Sequence, residues 1–312
     1  MLIVPMKNLD PIPPLTSYGH DLDMDENKVG LLRDSSDAAE DFPELRRRLE
    51  EDGYLYMRGY LDREKVLTAR SSITSHLAKE GLLDPEHPED AAICKEGEGL
   101  VFMPDPARES ESVQELLYSG KLTDFYNKLY GEDIRHYDFT WLRAMRPGKG
   151  TNPHCDLPYM GRGTHKHMTC WMPYGDISYD LGGLMILEGS HKRMDMLEKY
   201  VFRDVDSYCD NKPAQKKRAE DGGWTFTGTL SHNPPALRDS FGGRWLTTEF
   251  EAGDFLTFGM FLVHASVDNK TENTLRISSD SRYQKASEQI DERWVGVNPP
   301  GHSKAAKLGR IC

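Results

Sequence analysis

Residues 253–269 read GDFLTFGMFLVHASVDN. A Gly-Asp turn leads into an apolar, β-friendly run that ends on a histidine, His264. Phe, Leu and Val in a strand pack into a core. A histidine at the end of such a strand is expected on the inside of a β structure. Similar runs lie on either side: RHYDFTWLRAMRP (135–147), HMTCWMPYG (167–175), GLMILEGSH (183–191), RWLTTEFEAGDFLTFG (244–259) and NTLRISSDSRYQ (273–284). Gly, Pro, Asn and Asp turns separate them. Short strands punctuated in this way predict an antiparallel sandwich or barrel.

The first third is different. PELRRRLEEDG has Pro43 in its first turn and Gly53 at its end, a helix signature. YLYMRGYL (54–61) reads as a strand, Asp62 as the N-cap of a helix over 63–80, and 112–131 as a further helix closing at Gly131. The expected fold is mainly β, with N-terminal helices packed on a barrel. Residues 1–40, rich in Pro, Asp and Ser, read as an irregular arm. One domain spans 41–290, with an insertion or lid over 192–243, and 291–312 read as a tail.

Bulk properties narrow the function. The net charge of −12 argues against a nucleic-acid groove, which needs clustered Lys and Arg. Five cysteines with no CxxC spacing are not a disulfide framework and point to a reducing compartment. MLIVPMKNLDP is too short for a membrane span, and no later run approaches spanning length. The expectation is a cytoplasmic protein with a small-molecule substrate and no nucleic-acid or membrane partner. The sequence leaves the oligomeric state open.

Upstream of His264, TNPHCDLPYM (151–160) holds His154 and Asp156 two residues apart, after a Pro/Gly-rich approach. On an extended segment such a pair faces one way. Two histidines and a carboxylate on one face of an octahedron leave three positions open, which suits Fe(II) with a bidentate co-substrate and O2. His136-Tyr137-Asp138 is a second His-x-Asp. The order of downstream elements, not the motif itself, favours His154. Arg276 lies twelve residues after His264, and its fork suits a carboxylate. Arg282 shares its strand parity but lies farther along. Ser266 is placed to reach the same carboxylate.

H154-C-D156, Trp171, LGGLMILEGSHK (181–192), GDFLTFGMFLVH264 and R276-ISSDSRYQ together resemble the phytanoyl-CoA dioxygenase family over about residues 43–285. The resemblance implies a double-stranded β-helix, a jelly-roll or cupin-like barrel. It also implies a non-haem Fe(II)- and 2-oxoglutarate-dependent oxygenase that oxidises, by default hydroxylates, a C–H bond and releases succinate and CO2. His154, Asp156 and His264 would be the iron ligands. Arg276, with Ser266 beside it, would hold the distal carboxylate of 2-oxoglutarate. Thr140 or Thr169 would touch the co-substrate, and Trp171 would line the pocket. Trp224, in the insertion, is expected to contact substrate.

Two other readings compete. His165-Lys166-His167 invites a cupin-type metal enzyme without 2-oxoglutarate, but MTCWMPY supplies no glutamate ligand. A non-catalytic small-molecule-binding barrel would not need the triad and Arg276 together.

Overall fold

The computed structural model describes residues 11–303 apart from 96, 98, 208–211 and 224. Its strands in chain order are β1 (Thr16–Ser17), β2 (His20–Asp21), β3 (Val29–Leu31), β4 (Tyr54–Met57), β5 (Leu100–Phe102), β6 (Ile134–His136), β7 (Trp141–Met145), β8 (Met168–Pro173), β9 (Leu184–Leu187), β10 (Trp245–Thr247), β11 (Phe255–Gly259), β12 (His264–Ser266) and β13 (Arg276–Lys285). A large sheet runs β4-β11-β8-β13-β7-β5, with β6 also on β13, and a smaller sheet runs β12-β9-β10-β3. The two sheets form the jelly-roll core.

Strand alternation sorts the side chains. On β8, Met168, Cys170 and Met172 join the core beneath the helices, while Trp171 joins a cluster on the opposite face. On β13, Ile277 and Tyr283 face the helices. Arg276, Ser278, Asp280, Arg282 and Gln284 share the other parity, on the inner face.

Helices cover the outer face of the large sheet. Asp41 caps Phe42–Asp52 by accepting from the Glu44 N–H, and Gly53 (φ 80°) ends the helix in the left-handed region. Asp62 caps Arg63–Lys79 through the Glu64 and Lys65 N–H groups. The helix expected over 112–131 is two, Glu111–Tyr118 and Gly120–Tyr130. Ser119 is extended and Gly120 has φ 60°, which breaks the run. Phe125 anchors this layer against Phe42, Tyr60, Tyr126 and Phe255. Burying a side chain of this size contributes about 1.5–3 kcal/mol.

Both flanking regions differ from the sequence expectation. The region expected as an irregular arm holds β1, β2 and β3. β3 pairs in parallel with β10, the Ser17 hydroxyl donates to the Ser266 carbonyl, and Leu15, Leu22 and Val29 are buried. In the region expected as a tail, Trp294 is fully buried, and Arg293 pairs with Asp291 and Asp206. Period-based reading misses such segments because loop residues bury without a regular pattern. The 192–243 insertion holds helices Met194–Val201, Pro213–Glu220 and Pro234–Phe241. The Tyr200 hydroxyl ties it to the barrel by accepting from the Cys155 N–H and donating to the Gly228 carbonyl.

Candidate active site

His154 and His264 meet backbone to backbone. Each N–H donates to the other's carbonyl at 3.0 Å, so the loop after the Pro/Gly turn is held to β12. Each imidazole is also oriented from behind. His154 Nδ1 is 2.8 Å from the Asn152 carbonyl, and His264 Nδ1 is 3.0 Å from the Leu262 carbonyl. A carbonyl can only accept, so both Nδ1 atoms carry a proton, which leaves Nε2 as the ligand atom of each ring.

Asp156 Oδ1 lies 4.0 Å from His154 Nε2 and 3.7 Å from His264 Nε2. These distances are too long for hydrogen bonds, and the three donor atoms lie within 4.8 Å of one another. Two imidazole Nε2 atoms and a carboxylate oxygen converging on one point fit a divalent iron ion. Burial, then the neighbouring His264, pulls the His154 pKa down to about 3, so its ring is neutral at pH 7. Burial alone would raise Asp156. Arg282 above all, with the two histidines and Thr169, outweighs it and holds the carboxylate well below its ordinary range.

The second oxygen of Asp156 is occupied. Oδ2 accepts from the Thr169 hydroxyl and from Arg282 Nη2 at 3.1 Å. Oδ1 alone therefore faces the histidines. Arg282 is itself fixed, its guanidinium 4.6 Å from the Trp141 ring centre and its Nε 3.2 Å from Met160 Sδ.

Arg276 enters the same small inner cavity as the triad and Trp171. It is 3% exposed, donates to the Gly182 carbonyl at 3.1 Å, and its Nε has no partner. Burial lowers its pKa to about 10, which still leaves a cation at pH 7. A buried, under-satisfied guanidinium fits the far carboxylate of 2-oxoglutarate. Ser266 accepts from the Thr151 N–H at 2.6 Å, and its own hydroxyl proton is available.

Thr169, Thr140 and Trp171 fall elsewhere than expected. The Thr169 hydroxyl is on Asp156, not turned toward a co-substrate. Thr140 bonds to the Tyr118 hydroxyl at 2.6 Å and to Ser281 at 3.2 Å, and lines neither cavity. Trp171 is 2% exposed against Phe250; it borders the inner cavity, not the larger one. Trp224 lies outside the described residues. His136 stacks on Tyr118, 3.5 Å from Asp138, and among the described residues no third donor joins them. His165 and His167 bond to different carbonyls, those of Gly161 and Thr164, and form no ligand group. Cys155 turns away, its thiol on the Phe261 carbonyl.

A larger cavity of about 450 Å³ opens outward from the triad. Its walls include Phe102, Phe139, Trp141, Tyr159, Trp294 and His302, with Arg143 at the junction with the inner cavity. Sequence reading missed Trp141 and Arg143, although both have inward parity in the strand candidate 135–147. It also missed Trp294 and His302, for which no pattern existed.

The model of the family Phytanoyl-CoA dioxygenase (PhyH) matches residues 49–278. The chain is 26% identical to 1-deoxypentalenic acid 11-beta-hydroxylase of Streptomyces exfoliatus over 267 residues, 81% of this chain and 85% of the relative. It is 27% identical to the enzyme of the same name from Streptomyces arenae, at the same coverage. The fold is similar to the non-heme alpha ketoglutarate dependent carbocyclase SnoK of nogalamycin biosynthesis (TM-score 0.57, 17% identity, 79% and 85% of the two chains). It is also similar to EctD from S. alaskensis (TM-score 0.55, 15% identity, 95% and 96%). On the family match the chain belongs to the phytanoyl-CoA dioxygenase family of Fe(II)- and 2-oxoglutarate-dependent oxygenases.

Proposed function

We propose that His154, Asp156 and His264 hold Fe(II), that Arg276 and Ser266 hold the distal carboxylate of 2-oxoglutarate, and that the larger cavity presents a small organic substrate for hydroxylation. The observation that carries this reading is the convergence of three free donor atoms beside a buried arginine without a carboxylate partner. Iron with 2-oxoglutarate and O2 supplies an oxidant for an unactivated C–H bond, with succinate and CO2 as by-products. The chain's own residues do the rest. The Nδ1–carbonyl bonds keep both imidazoles aimed, with Nε2 toward the metal position. Thr169 and Arg282 keep Asp156 ionised and leave one oxygen for the metal. Arg276 would hold the far carboxylate of the co-substrate, and the aromatic walls would exclude water and orient the substrate.

The two Streptomyces relatives are named as hydroxylases of 1-deoxypentalenic acid, which supports hydroxylation of a compact small molecule. Among the described residues no helix is long and apolar enough to cross a membrane. That agrees with the cytoplasmic location we propose. Anaerobic addition of Fe(II) and 2-oxoglutarate should give a weak visible charge-transfer band, and substrate turnover should release succinate. Absence of both the band and 2-oxoglutarate binding would refute the assignment.

A further inference from the structure

The cavities are charged unevenly. Arg143, Arg276 and Arg282 line the inner cavity, with Asp156 and Asp280 as the carboxylates among the described lining residues. Three arginines against two aspartates leave one positive charge in excess. Fe(II) and 2-oxoglutarate carry equal and opposite charges, so loading both does not remove it. An excess cation in a poorly hydrated pocket is costly unless something pairs with it.

The three arginines are not equally engaged. Arg282 is committed to Asp156 and stacked on Trp141. Arg276 lies deep in the inner cavity, away from the outer one. Arg143 Nε lies 3.0 Å from Asp280 Oδ2, an ion pair without hydrogen-bond geometry, and among the described residues no guanidinium nitrogen of Arg143 has a hydrogen-bond partner. Its side chain is 23% exposed, and it lines both cavities. Strand parity explains this placement. On β7, Leu142 and Ala144 pack under the helices, so Trp141 and Arg143 turn inward. Around Arg143 the outer cavity is walled by Phe102, Phe139, Trp141 and Trp294, and His302 there is tied to Asp206.

We propose that this cavity takes a compact, largely apolar molecule carrying one carboxylate, and that Arg143 receives that carboxylate. A single excess charge matches a carboxylate rather than a phosphate monoester, which carries about −1.5 to −2 near neutral pH. The guanidinium edge left free by Asp280 suits a planar two-oxygen acceptor. The proposal rests on the iron and 2-oxoglutarate assignment above, because that assignment commits Arg276 to the co-substrate.

The test uses the full chain loaded anaerobically with Fe(II) and 2-oxoglutarate. Matched acids and primary amides of adamantane, decalin and cyclohexane are titrated, read by thermal shift and by perturbation of the charge-transfer band. At least one acid should bind about tenfold to a hundredfold tighter than its amide, as expected for a charge-assisted hydrogen bond. In Arg143→Gln the acid should fall to the amide's affinity, with 2-oxoglutarate half-saturation unchanged. Asp280→Asn frees Arg143 further and should strengthen acid binding; it decides the matter if Arg143→Gln does not fold. Acids no better than amides across the panel overturn the proposal, as does acid preference that survives Arg143→Gln or does not rise in Asp280→Asn. Loss of 2-oxoglutarate affinity in Arg143→Gln instead would assign Arg143 to the co-substrate, and also overturns it. Failure of the iron assignment would show separately, as absence of the band before any acid is added.

Discussion

Arg276→Leu separates the cost of a buried cation from its use. Arg276 is 3% exposed, donates to the Gly182 carbonyl at 3.1 Å, and among the described residues its Nε has no partner. Replacing a poorly paired buried charge with an apolar side chain is commonly neutral or stabilising, by about 1–4 kcal/mol. The Gly182 carbonyl would lose its donor, which costs about 1–3 kcal/mol. The two effects nearly offset, so the unfolding midpoint without ligands should barely move. With 2-oxoglutarate the balance changes. Removing one member of a buried charge pair costs about 2–5 kcal/mol, or about thirtyfold to several-thousandfold in half-saturation. Two assays read this directly: denaturant unfolding without ligands, and anaerobic titration of the charge-transfer band with 2-oxoglutarate. Fe(II) affinity should stay nearly intact. A 2-oxoglutarate half-saturation within about threefold of the parent, well under 1 kcal/mol, would refute the reasoning. So would a large loss of stability in the unloaded protein, which would make Arg276 a structural residue.

Four further outcomes follow from the same contacts. Thr169→Val removes one donor from Asp156 Oδ2 and should weaken Fe(II) binding about tenfold to a hundredfold while sparing 2-oxoglutarate, measured by anaerobic metal titration. His264→Ala should abolish metal binding in that titration, and His136→Ala should not change it. Trp294→Ala empties a fully buried site beside Trp141 and His302, so the denaturant midpoint should report a loss of about 3–5 kcal/mol. Burial opposes ionisation of Asp206 and Asp291, but His302 and Arg293 at Asp206, and Arg293 at Asp291, hold both carboxyls below their usual range. A depressed carboxyl pKa stabilises the fold fully above about pH 4–5 and loses that contribution as pH falls through the folded value. Hydrogen exchange over 291–303 should accelerate in acid before the barrel strands do; simultaneous exchange would count against this.

What was readable in the sequence was what repeats or carries an obligatory chemical signature. β8 and β11 announce themselves by near-continuous apolar residues, because a sheet must bury a face. His154, Asp156 and His264 were found through their order along these strands. Contacts fixed only by tertiary closure were not legible. The Thr169 hydroxyl could have faced the co-substrate or Asp156, and strand parity gives the same inward direction for both. Arg276 and Arg282 likewise share parity; only the position of Asp156 opposite one of them divides their tasks. Trp294 and His302 lie in a segment with no period, held by Arg293 and Asp206 through ion pairs that join residues 87 and 96 positions apart in the chain.

β13 explains why chemistry and specificity can vary independently in this molecule. Its inner face carries Arg276, Ser278, Asp280, Arg282 and Gln284 in succession, about 6.5–7 Å apart along one strand. β7 and β8 flank it on both sides, so these positions are among the most constrained in the fold. From this rigid strand Arg276 enters the inner cavity, where we propose it meets the co-substrate, Arg282 donates to Asp156, and Asp280 lies 3.0 Å from Arg143 on the neighbouring strand. The outer wall is built differently. Trp294 and His302 come from residues beyond the barrel strands, and their anchor, Asp206, comes from the insertion. Among the described residues no hydrogen bond links His302 or Trp294 directly to His154, Asp156 or His264, so substitutions in that wall reach those residues only through packing, Trp294 by way of Trp141 and Arg282 and His302 by way of Tyr159. Substrate choice is therefore expected to follow residues 291–303 and the insertion, while loss of turnover follows β13.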